Sequence, residues 1–156
     1  MDLDRLSTGE KIVAGSGILI FILSFIPPWA KVSFLGESTS FNAWDGYGFL
    51  IKLGILLALV AAILAIVKAF GTNLSLPMSA GTSYLVLAAI NAVCLLLGVI
   101  IGPAGDDVIP SGIDVSRGLF LFVAFALALV QTYGAWMHRG TEPAGATTTT
   151  TPPPAA

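Results

Sequence analysis

The sequence predicts an all-α membrane protein, built as a four-transmembrane-helix bundle with a short β-hairpin in its first outer loop. Of the 156 residues, 56% are hydrophobic and only 10% are charged, whereas a soluble domain carries about 25% charged residues to cover its surface. The mean hydropathy is +0.91. Four long uncharged stretches also follow one another along the chain, and each approaches the roughly 20 residues that a helix needs to cross a bilayer.

The first predicted span covers residues 12–28. Pro27 and Pro28 are expected to end its helix, because proline cannot donate a backbone N–H and clashes with the preceding turn. A secretory signal peptide is the other interpretation of a short apolar segment that follows basic residues. The acidic residues before the segment, and Trp29 in place of a small-residue cleavage site, favour a span that is retained.

Three further spans are predicted, at residues 47–70, 82–101 and 118–137. Lys52 and Lys68 enclose the apolar core of the second span, so their ammonium groups can extend to opposite membrane surfaces. The connection between the second and third spans is short, which predicts that these two helices are antiparallel neighbours.

Residues 1–138 are therefore predicted to form one transmembrane domain. Residues 139–156 contain a run of threonines followed by a run of prolines, a composition that cannot bury a core and that predicts a disordered tail. With four spans, both termini lie on the same side of the membrane. The cations Arg5 and Lys11 before the first span favour cytoplasmic termini in a multi-pass protein of the plasma membrane.

Aromatic side chains that carry a polar atom are favoured at the level of the lipid headgroups. The sequence places six such residues near the ends of the spans, in two groups that predict opposite membrane surfaces. The predicted interface anchors are Trp29, Trp44 and Tyr47 at the outer surface and Tyr84, Tyr133 and Trp136 at the inner surface.

Small residues at every fourth position predict close packing between the spans, because lipid tails provide no hydrophobic force that would drive the helices together. Packing within one chain is the favoured interpretation, and a homo-oligomer interface is the alternative. Gly98 and Gly102 form the most specific pattern, a GxxxG motif. The predicted packing residues are Gly54, Ala58, Ala62, Asn91, Gly98, Gly102, Ala124 and Ala128.

Asn91 is the deepest strongly polar side chain in the predicted spans. Because an amide in hydrocarbon is costly unless it is hydrogen-bonded, Asn91 is expected to face the protein interior and to bond to Ser16, Ser24 or a backbone carbonyl. A solute or ion site is the alternative interpretation, although one amide alone cannot coordinate an ion.

The loop at residues 30–46 alternates apolar and polar residues on both sides of a glycine-containing turn. Val32 and Phe34 precede Gly36, and Phe41 follows it, a pattern that predicts a short β-hairpin. Its apolar face is expected either to lie on the bilayer or to cap the bundle, because an isolated hairpin is only marginally stable.

A second outer loop, at residues 102–116, carries Asp106, Asp107 and Asp114. Carboxylates are ligands for Ca²⁺, but their spacing does not match an EF-hand, so no metal site is predicted. Asp114 or Ser116 is instead expected to cap the N-terminus of the fourth span, where a side-chain oxygen can accept hydrogen bonds from free backbone amides.

Small four-span integral membrane proteins of actinobacteria, which have a domain of unknown function, resemble this chain in three features. These are the segment FNAWDG at residues 41–46, the Pro27-Pro28-Trp29 end of the first span and the Thr/Pro/Ala tail. The resemblance implies a four-span fold and carries no activity. The first outer loop is also similar to that of claudin-like proteins by architectural analogy, with Trp29 and Trp44 beside a hairpin, although the cysteine pair of claudins is absent.

No catalytic constellation is visible in the sequence. The single histidine, His138, lies beside Arg139 without a thiol or a pair of carboxylates nearby. No ionisable residue lies deep in a predicted span, which is unfavourable for a proton-coupled transporter, and the net charge of −2 provides no basic surface for nucleic acid.

The sequence therefore predicts a non-enzymatic structural or accessory protein without cofactors. It is expected to contact the lipid bilayer, other membrane proteins or further copies of itself through its helix faces or its outer loop. A subunit of a small oligomeric channel or transporter is the alternative.

Overall fold

The computed structural model describes residues 6–71, 78–103 and 112–141. The described chain is mostly helical, with one small antiparallel sheet. Its elements in chain order are α1 (Thr8–Leu23), β1 (Ala30–Phe34), β2 (Glu37–Phe41), α2 (Ala43–Gly46), α3 (Phe49–Ala69), α4 (Ala80–Ile101), β3 (Ile113–Arg117) and α5 (Leu119–Thr141).

Local sequence signals explain where the helices begin and end. The Ser7 hydroxyl oxygen accepts a hydrogen bond from the backbone N–H of Glu10, and the Glu10 carboxylate accepts one from the backbone N–H of Ser7, so a capping box begins α1. Ser79 begins α4, since its hydroxyl oxygen accepts from the backbone N–H of Thr82. Gly102 ends α4 with a φ of 93°, a conformation that favours glycine.

Three helices, α3, α4 and α5, are long and apolar enough to cross a membrane. They correspond to the second, third and fourth predicted spans. The last helix continues through Thr141, so the first residues of the predicted tail at 139–156 are helical. Residues 142–156 lie outside the described part of the chain, and so do Asp106 and Asp107.

The first predicted span differs from the observed helix. α1 begins at Thr8 because of the capping box and ends at Leu23, well before Pro27. Its 16 residues correspond to roughly 24 Å of helix, less than the hydrocarbon thickness of about 30 Å. The helix alone is therefore shorter than a complete span.

The long helices α1, α3, α4 and α5 pack around a common core and are called the helical ring below. Each of α1 and α4 packs against both α3 and α5. At the sheet end of the ring, α1 and α4 end and α3 and α5 begin. The opposite end, called the Ser7 end, holds the N-terminus of α1 and the C-terminus of α5. The predicted contact between the second and third spans is observed as the α3–α4 contact.

The core of the ring has two layers. Large aliphatic side chains such as Ile20, Ile55 and Leu95 fill the half nearer the sheet end, whereas alanines and Tyr84 dominate the half nearer the Ser7 end. The outer surface of the helices is also apolar, as expected for helices in a lipid environment. Exposed apolar side chains include Leu19, Leu56, Val60, Ile63, Val86, Ile90, Val93, Phe122 and Leu129.

The predicted hairpin is observed as β1 and β2, which pair antiparallel with Val32 opposite Thr39. A third strand, β3, pairs with the other edge of β1, giving the strand order β2-β1-β3. The prediction that Asp114 or Ser116 caps the fourth span is wrong, because both residues lie in β3 and α5 begins only at Leu119.

β3 leads directly from the sheet into α5 and also holds the end of α4. The backbone N–H of Gly118 donates a hydrogen bond to the carbonyl oxygen of Trp29 at 2.5 Å, which extends the strand pairing up to the start of α5. The Arg117 guanidinium donates hydrogen bonds to the carbonyl oxygens of Val99 and Ile100. These carbonyls belong to the last turn of α4, where backbone acceptors lack partners within the helix.

Candidate functional site

Four polar residues from three helices meet at the Ser7 end of the helical ring, and they are called the charged cluster below. Lys68 Nζ lies 2.7 Å from Glu10 Oε1, and His138 Nε2 lies 3.4 Å from the same oxygen. Ser7 Oγ lies 2.9 Å from His138 Nδ1. The Glu10 side chain is almost completely buried, with 1% of the residue exposed.

The helix ends favour these charges at these positions. Glu10 lies in the first turn of α1, where the partial positive charge of a helix N-terminus stabilises a carboxylate. Lys68 and His138 lie in the last turns of α3 and α5, where the opposite partial charge favours cations. Because α1 packs against both of these helices, three favourable helix ends meet in the cluster.

A close approach of two backbones brings Glu10 and His138 together. A Cβ atom added at Gly9 would overlap the carbonyl oxygen of Gly134, and one added at Gly134 would lie 2.6 Å from a methyl group of Ile12. Only glycine therefore permits this contact between α1 and α5. The next residue in α1 is Glu10, and the next turn of α5 carries His138.

The balance of burial and charge lowers the pKa of Glu10. Burial by itself would raise this pKa, but the hydrogen bond from Lys68, the backbone N–H of Ser7 and the positive charges of His138 and Lys68 outweigh it. Sequence analysis did not identify Glu10 as a carboxylate partner of His138. The capping-box pattern of Ser7 and Glu10 was the sequence signal that marks this carboxylate as part of a helix start.

Acidification is expected to destabilise the protein through Glu10. A carboxyl group whose pKa is lowered by folding contributes stability above its unfolded pKa, about 4.3 for glutamate, and this contribution is lost as the pH falls through the folded pKa. Thermal unfolding in detergent can be followed from neutral pH to pH values below the pKa of free glutamate. Over this range the wild type should lose more stability than Glu10→Gln.

The matched control for this measurement is Glu37→Gln, because Glu37 lies exposed at the start of β2. This variant should retain the pH dependence of the wild type. Equal pH dependence of the wild type and Glu10→Gln would contradict the assignment of the stabilising charge to Glu10. At neutral pH, Glu10→Gln should itself be less stable, because Lys68 loses its carboxylate partner.

A second polar group joins all four helices of the ring. Asn91 of α4 donates a hydrogen bond from Nδ2 to Gln131 Oε1 of α5 at 3.1 Å. Gln131 Nε2 in turn donates to the carbonyl oxygens of Val13 in α1 and Ala58 in α3, at 3.3 and 3.1 Å. Both amide side chains are fully buried. This group is called the amide hub below.

The amide hub corrects the predicted partners of Asn91. Ser16 Oγ donates to the carbonyl oxygen of Ile12 in its own helix, and Ser24 Oγ donates to that of Phe21, so neither serine reaches Asn91. Sequence analysis missed Gln131 as the partner. The signal was present, because a glutamine within the apolar stretch of the fourth span requires hydrogen-bond partners in hydrocarbon.

The predicted packing residues are buried within the chain. A Cβ atom at Gly54 would lie 2.8 Å from Cys94 Cβ, and one at Gly98 would overlap the Ile51 side chain, so α3 and α4 approach closely at both glycines. Gly102 differs from this pattern, because its positive φ ends the helix. The GxxxG motif thus combines one packing glycine with one helix-ending glycine.

Three of the six predicted interface anchors are buried in protein instead of facing lipid headgroups: Trp29, Tyr47 and Tyr84. Trp29 Nε1 donates to the carbonyl oxygen of Leu23, and the Tyr47 hydroxyl donates to the carbonyl oxygen of Trp29. These bonds hold the end of α1 against the sheet and the start of α3. Tyr84 packs beside the His138 ring with centroids 5.6 Å apart.

The other three predicted anchors have more solvent-accessible surface. Trp44 is half-buried, stacks on Phe25 and donates from Nε1 to Ser24 Oγ at 2.9 Å. Tyr133 and Trp136 are exposed on α5 and lie close together. Their contact with headgroups stays a prediction.

No metal site is evident among the residues that the structure describes, because no group of three or more His, Cys, Asp and Glu side chains converges there. Comparison of the chain with models of known protein families and with curated proteins finds no match. The function must therefore be inferred from the charged cluster, the amide hub and the surfaces of the molecule.

The charged cluster and the amide hub each connect different helices of the ring. In the charged cluster a buried carboxylate is paired with an ammonium group from one helix and an imidazole from another. In the amide hub one glutamine bonds to three other helices. Each group joins polar atoms of different helices inside the ring and thereby fixes the relative positions of the helices.

Proposed function

We propose that this chain is an integral membrane protein with four transmembrane helices that acts, without enzymatic activity, as a structural or accessory component. The proposal includes the plasma membrane as its location and kinship with the small four-span proteins of actinobacteria. In this proposal residues 12–28, which include most of α1, form the first crossing, and α3, α4 and α5 form the other three. Glu10 then lies just before the first crossing.

The observation that carries the proposal is the separation of apolar and polar side chains in the helical ring. Apolar side chains cover the outer surface of the helices, while the amide hub lies inside and satisfies its donors there. This arrangement suits a lipid solvent, where a polar group needs a protein partner. Large aliphatic residues fill the interior between the hub and the sheet, which favours a packed protein over a conducting one.

Cytoplasmic termini are part of the proposal. The Ser7 end carries Lys11, Lys68 and Arg139 but only one described acidic residue, Glu10, and an excess of cations is typical of the cytoplasmic side. A reporter fused after Ala156 should therefore be active inside the cell. Activity of the reporter only outside the cell would overturn this orientation.

The alternative function, a subunit of a small oligomeric channel or transporter, has one observation in its favour. Glu10 and His138 form a buried ionisable pair, and ionisable groups within helical membrane proteins often belong to ion or proton pathways. In the described chain, however, the pair is held by Lys68 and lies at the end of the ring, whereas the middle of the ring holds neutral amides.

Flux measurements in proteoliposomes distinguish the two functions. We expect vesicles that contain the purified protein to conduct protons and small ions no faster than empty vesicles, because the interior of the ring is packed. Photo-cross-linking from Val93 on the outer surface of α4 should then detect the protein contacts of this face in native membranes, with buried Leu95 as the control position. Proton flux that is present in the wild type and lost in Glu10→Gln would overturn the accessory function.

A further inference from the structure

The three-stranded sheet has one apolar and one polar face. Successive side chains of a strand point to opposite faces, and directly paired residues share a face. Val32 therefore shares a face with Thr39 of β2 and Val115 of β3. Phe34 and Ile113 continue this face toward the hairpin turn. Glu37 of the edge strand β2 pairs with Phe34 and is the acidic residue on this otherwise largely apolar face. The opposite face carries Lys31, Ser33, Ser38, Ser40, Asp114 and Ser116.

Only the half of the apolar face nearer the ring is covered by protein. Ala30 is buried, and a Cβ at Gly46 would lie 2.9 Å from its side chain. At the other end of the strands, Phe34 is 51% exposed and Leu35 is 86% exposed. An open depression on this face is bordered by Val32, Phe34, Leu35, Glu37 and Thr39. The hairpin tip thus presents large apolar side chains beyond the ring.

The turn itself holds an unusual residue for its conformation. Leu35 has a φ of 50°, in the left-handed region where glycine or asparagine is normally found. Gly36, which follows, also has a positive φ of 87°. Leucine is thus unfavourable for the backbone conformation of this turn, and its side chain is exposed.

The sheet adjoins the end of α4 through Arg117. Arg117 lies on the same face as Val115 and donates to the carbonyl oxygens of Val99 and Ile100 at the end of α4. This contact places the sheet next to the last turn of α4. The side chains of Ile100 and Ile101 there are 63% and 65% exposed, and they belong to a helix that is long and apolar enough to cross a membrane.

We propose that the apolar face of the sheet lies on the membrane surface and that Phe34 and Leu35 insert between lipid headgroups. The partner is the lipid bilayer itself, because the uncovered face adjoins the apolar end of a candidate transmembrane helix while the opposite face is polar and suited to water. This inference rests on the proposed membrane location of the helical ring. The sequence left two positions open for the apolar face of the hairpin, on the bilayer or against the bundle. The inference selects the bilayer for the uncovered tip and adds β3 to the face that contacts it.

Depth-dependent quenching of a fluorescent probe tests this contact. Cys94 is the single cysteine, so a Cys94→Ala background allows an environment-sensitive probe to be attached at Leu35→Cys. The variant is reconstituted in phosphatidylcholine and phosphatidylglycerol vesicles with or without lipids that carry a nitroxide near the glycerol backbone. We expect blue-shifted emission from the Leu35 probe and strong quenching by the nitroxide lipids.

Two further probe positions make each outcome decisive. A probe at Ser40→Cys on the polar face should give red-shifted emission without quenching. A probe at Leu129→Cys on the outer surface of α5 should give blue-shifted emission, because this position is expected to lie in the lipid and away from water. If the Leu129 probe is in lipid but the Leu35 probe behaves like the Ser40 probe, the lipid anchor is wrong and the proposed function stands. Blue-shifted but unquenched emission at Leu35 would overturn the lipid anchor, because it would mean that Leu35 contacts another copy of the chain and not lipid. A Leu129 probe in water would overturn the membrane location itself.

Discussion

Replacement of Gly17 with alanine is expected to destabilise the helical ring by about 1–3 kcal/mol, the usual cost of overpacking a core. A Cβ at this position would lie 2.7 Å from Gln131 Nε2 and 2.9 Å from Ala62 Cβ, and it would overlap the carbonyl oxygen of Ala58. The carbonyl belongs to the backbone of α3, so relief requires a shift of α1 away from α3. That shift would also disturb the amide hub, because Gln131 bonds to Ala58.

The same helix offers a matched control for this prediction. Gly15 has no atom within 4 Å of an added Cβ, so Gly15→Ala makes the same chemical change on the open side of α1. Because alanine favours helix over glycine by about 1 kcal/mol, this variant should be as stable as the wild type or more stable. Thermal unfolding of both variants in the same detergent measures the difference. Equal stabilities would show that α1 does not pack against α3 at Gly17.

Replacement of Gln131 with leucine is expected to cost about 1–3 kcal/mol, the penalty for leaving a buried polar group without a partner. Leucine has a similar size, but Asn91 would lose the acceptor for its Nδ2 group. Asn91 Oδ1 is already buried without a hydrogen bond among the described residues. Thr132→Val is the control on the same helix, since the Thr132 hydroxyl bonds only locally to the carbonyl oxygen of Ala128.

A double-mutant cycle separates the hydrogen bond from other effects of the Gln131 substitution. Asn91→Leu combined with Gln131→Leu removes both partners, so the double variant should be less destabilised than the sum of the two single variants. The expected coupling is about 0.6 kcal/mol, and at most roughly 2 kcal/mol, the range measured for hydrogen bonds between transmembrane helices. Additive effects of the two substitutions in unfolding measurements would mean that the two amides act independently.

The charged cluster and the amide hub give the ring two connections of different chemistry. The hub is neutral and lies in the middle of the helices, where burial of a charge would be most costly. The cluster lies at the Ser7 end, where three helix termini stabilise its charges. We therefore expect acid to weaken the Ser7 end while the hub remains intact, a local response that the Glu10→Gln comparison detects.

The three longest helices follow from the sequence, because uninterrupted apolar stretches determine them without knowledge of their neighbours. The hairpin also follows, since Val32, Phe34 and Phe41 alternate around a glycine turn. The third strand was not recognised. Its five residues, Ile113–Arg117, are too short to indicate a strand alone, and the pairing of β3 with β1 joins segments far apart in the chain.

The sequence by itself determined which helices are long and apolar enough to cross a membrane, because the composition and length of an apolar stretch do not depend on its neighbours. The tertiary structure decided which polar groups meet. Ser7 and His138 are 131 positions apart, and Asn91 and Gln131 are 40 positions apart. Their contacts depend on the relative position and rotation of packed helices. Close approaches at Gly9, Gly17 and Gly134, which leave no room for a Cβ atom, restrict both.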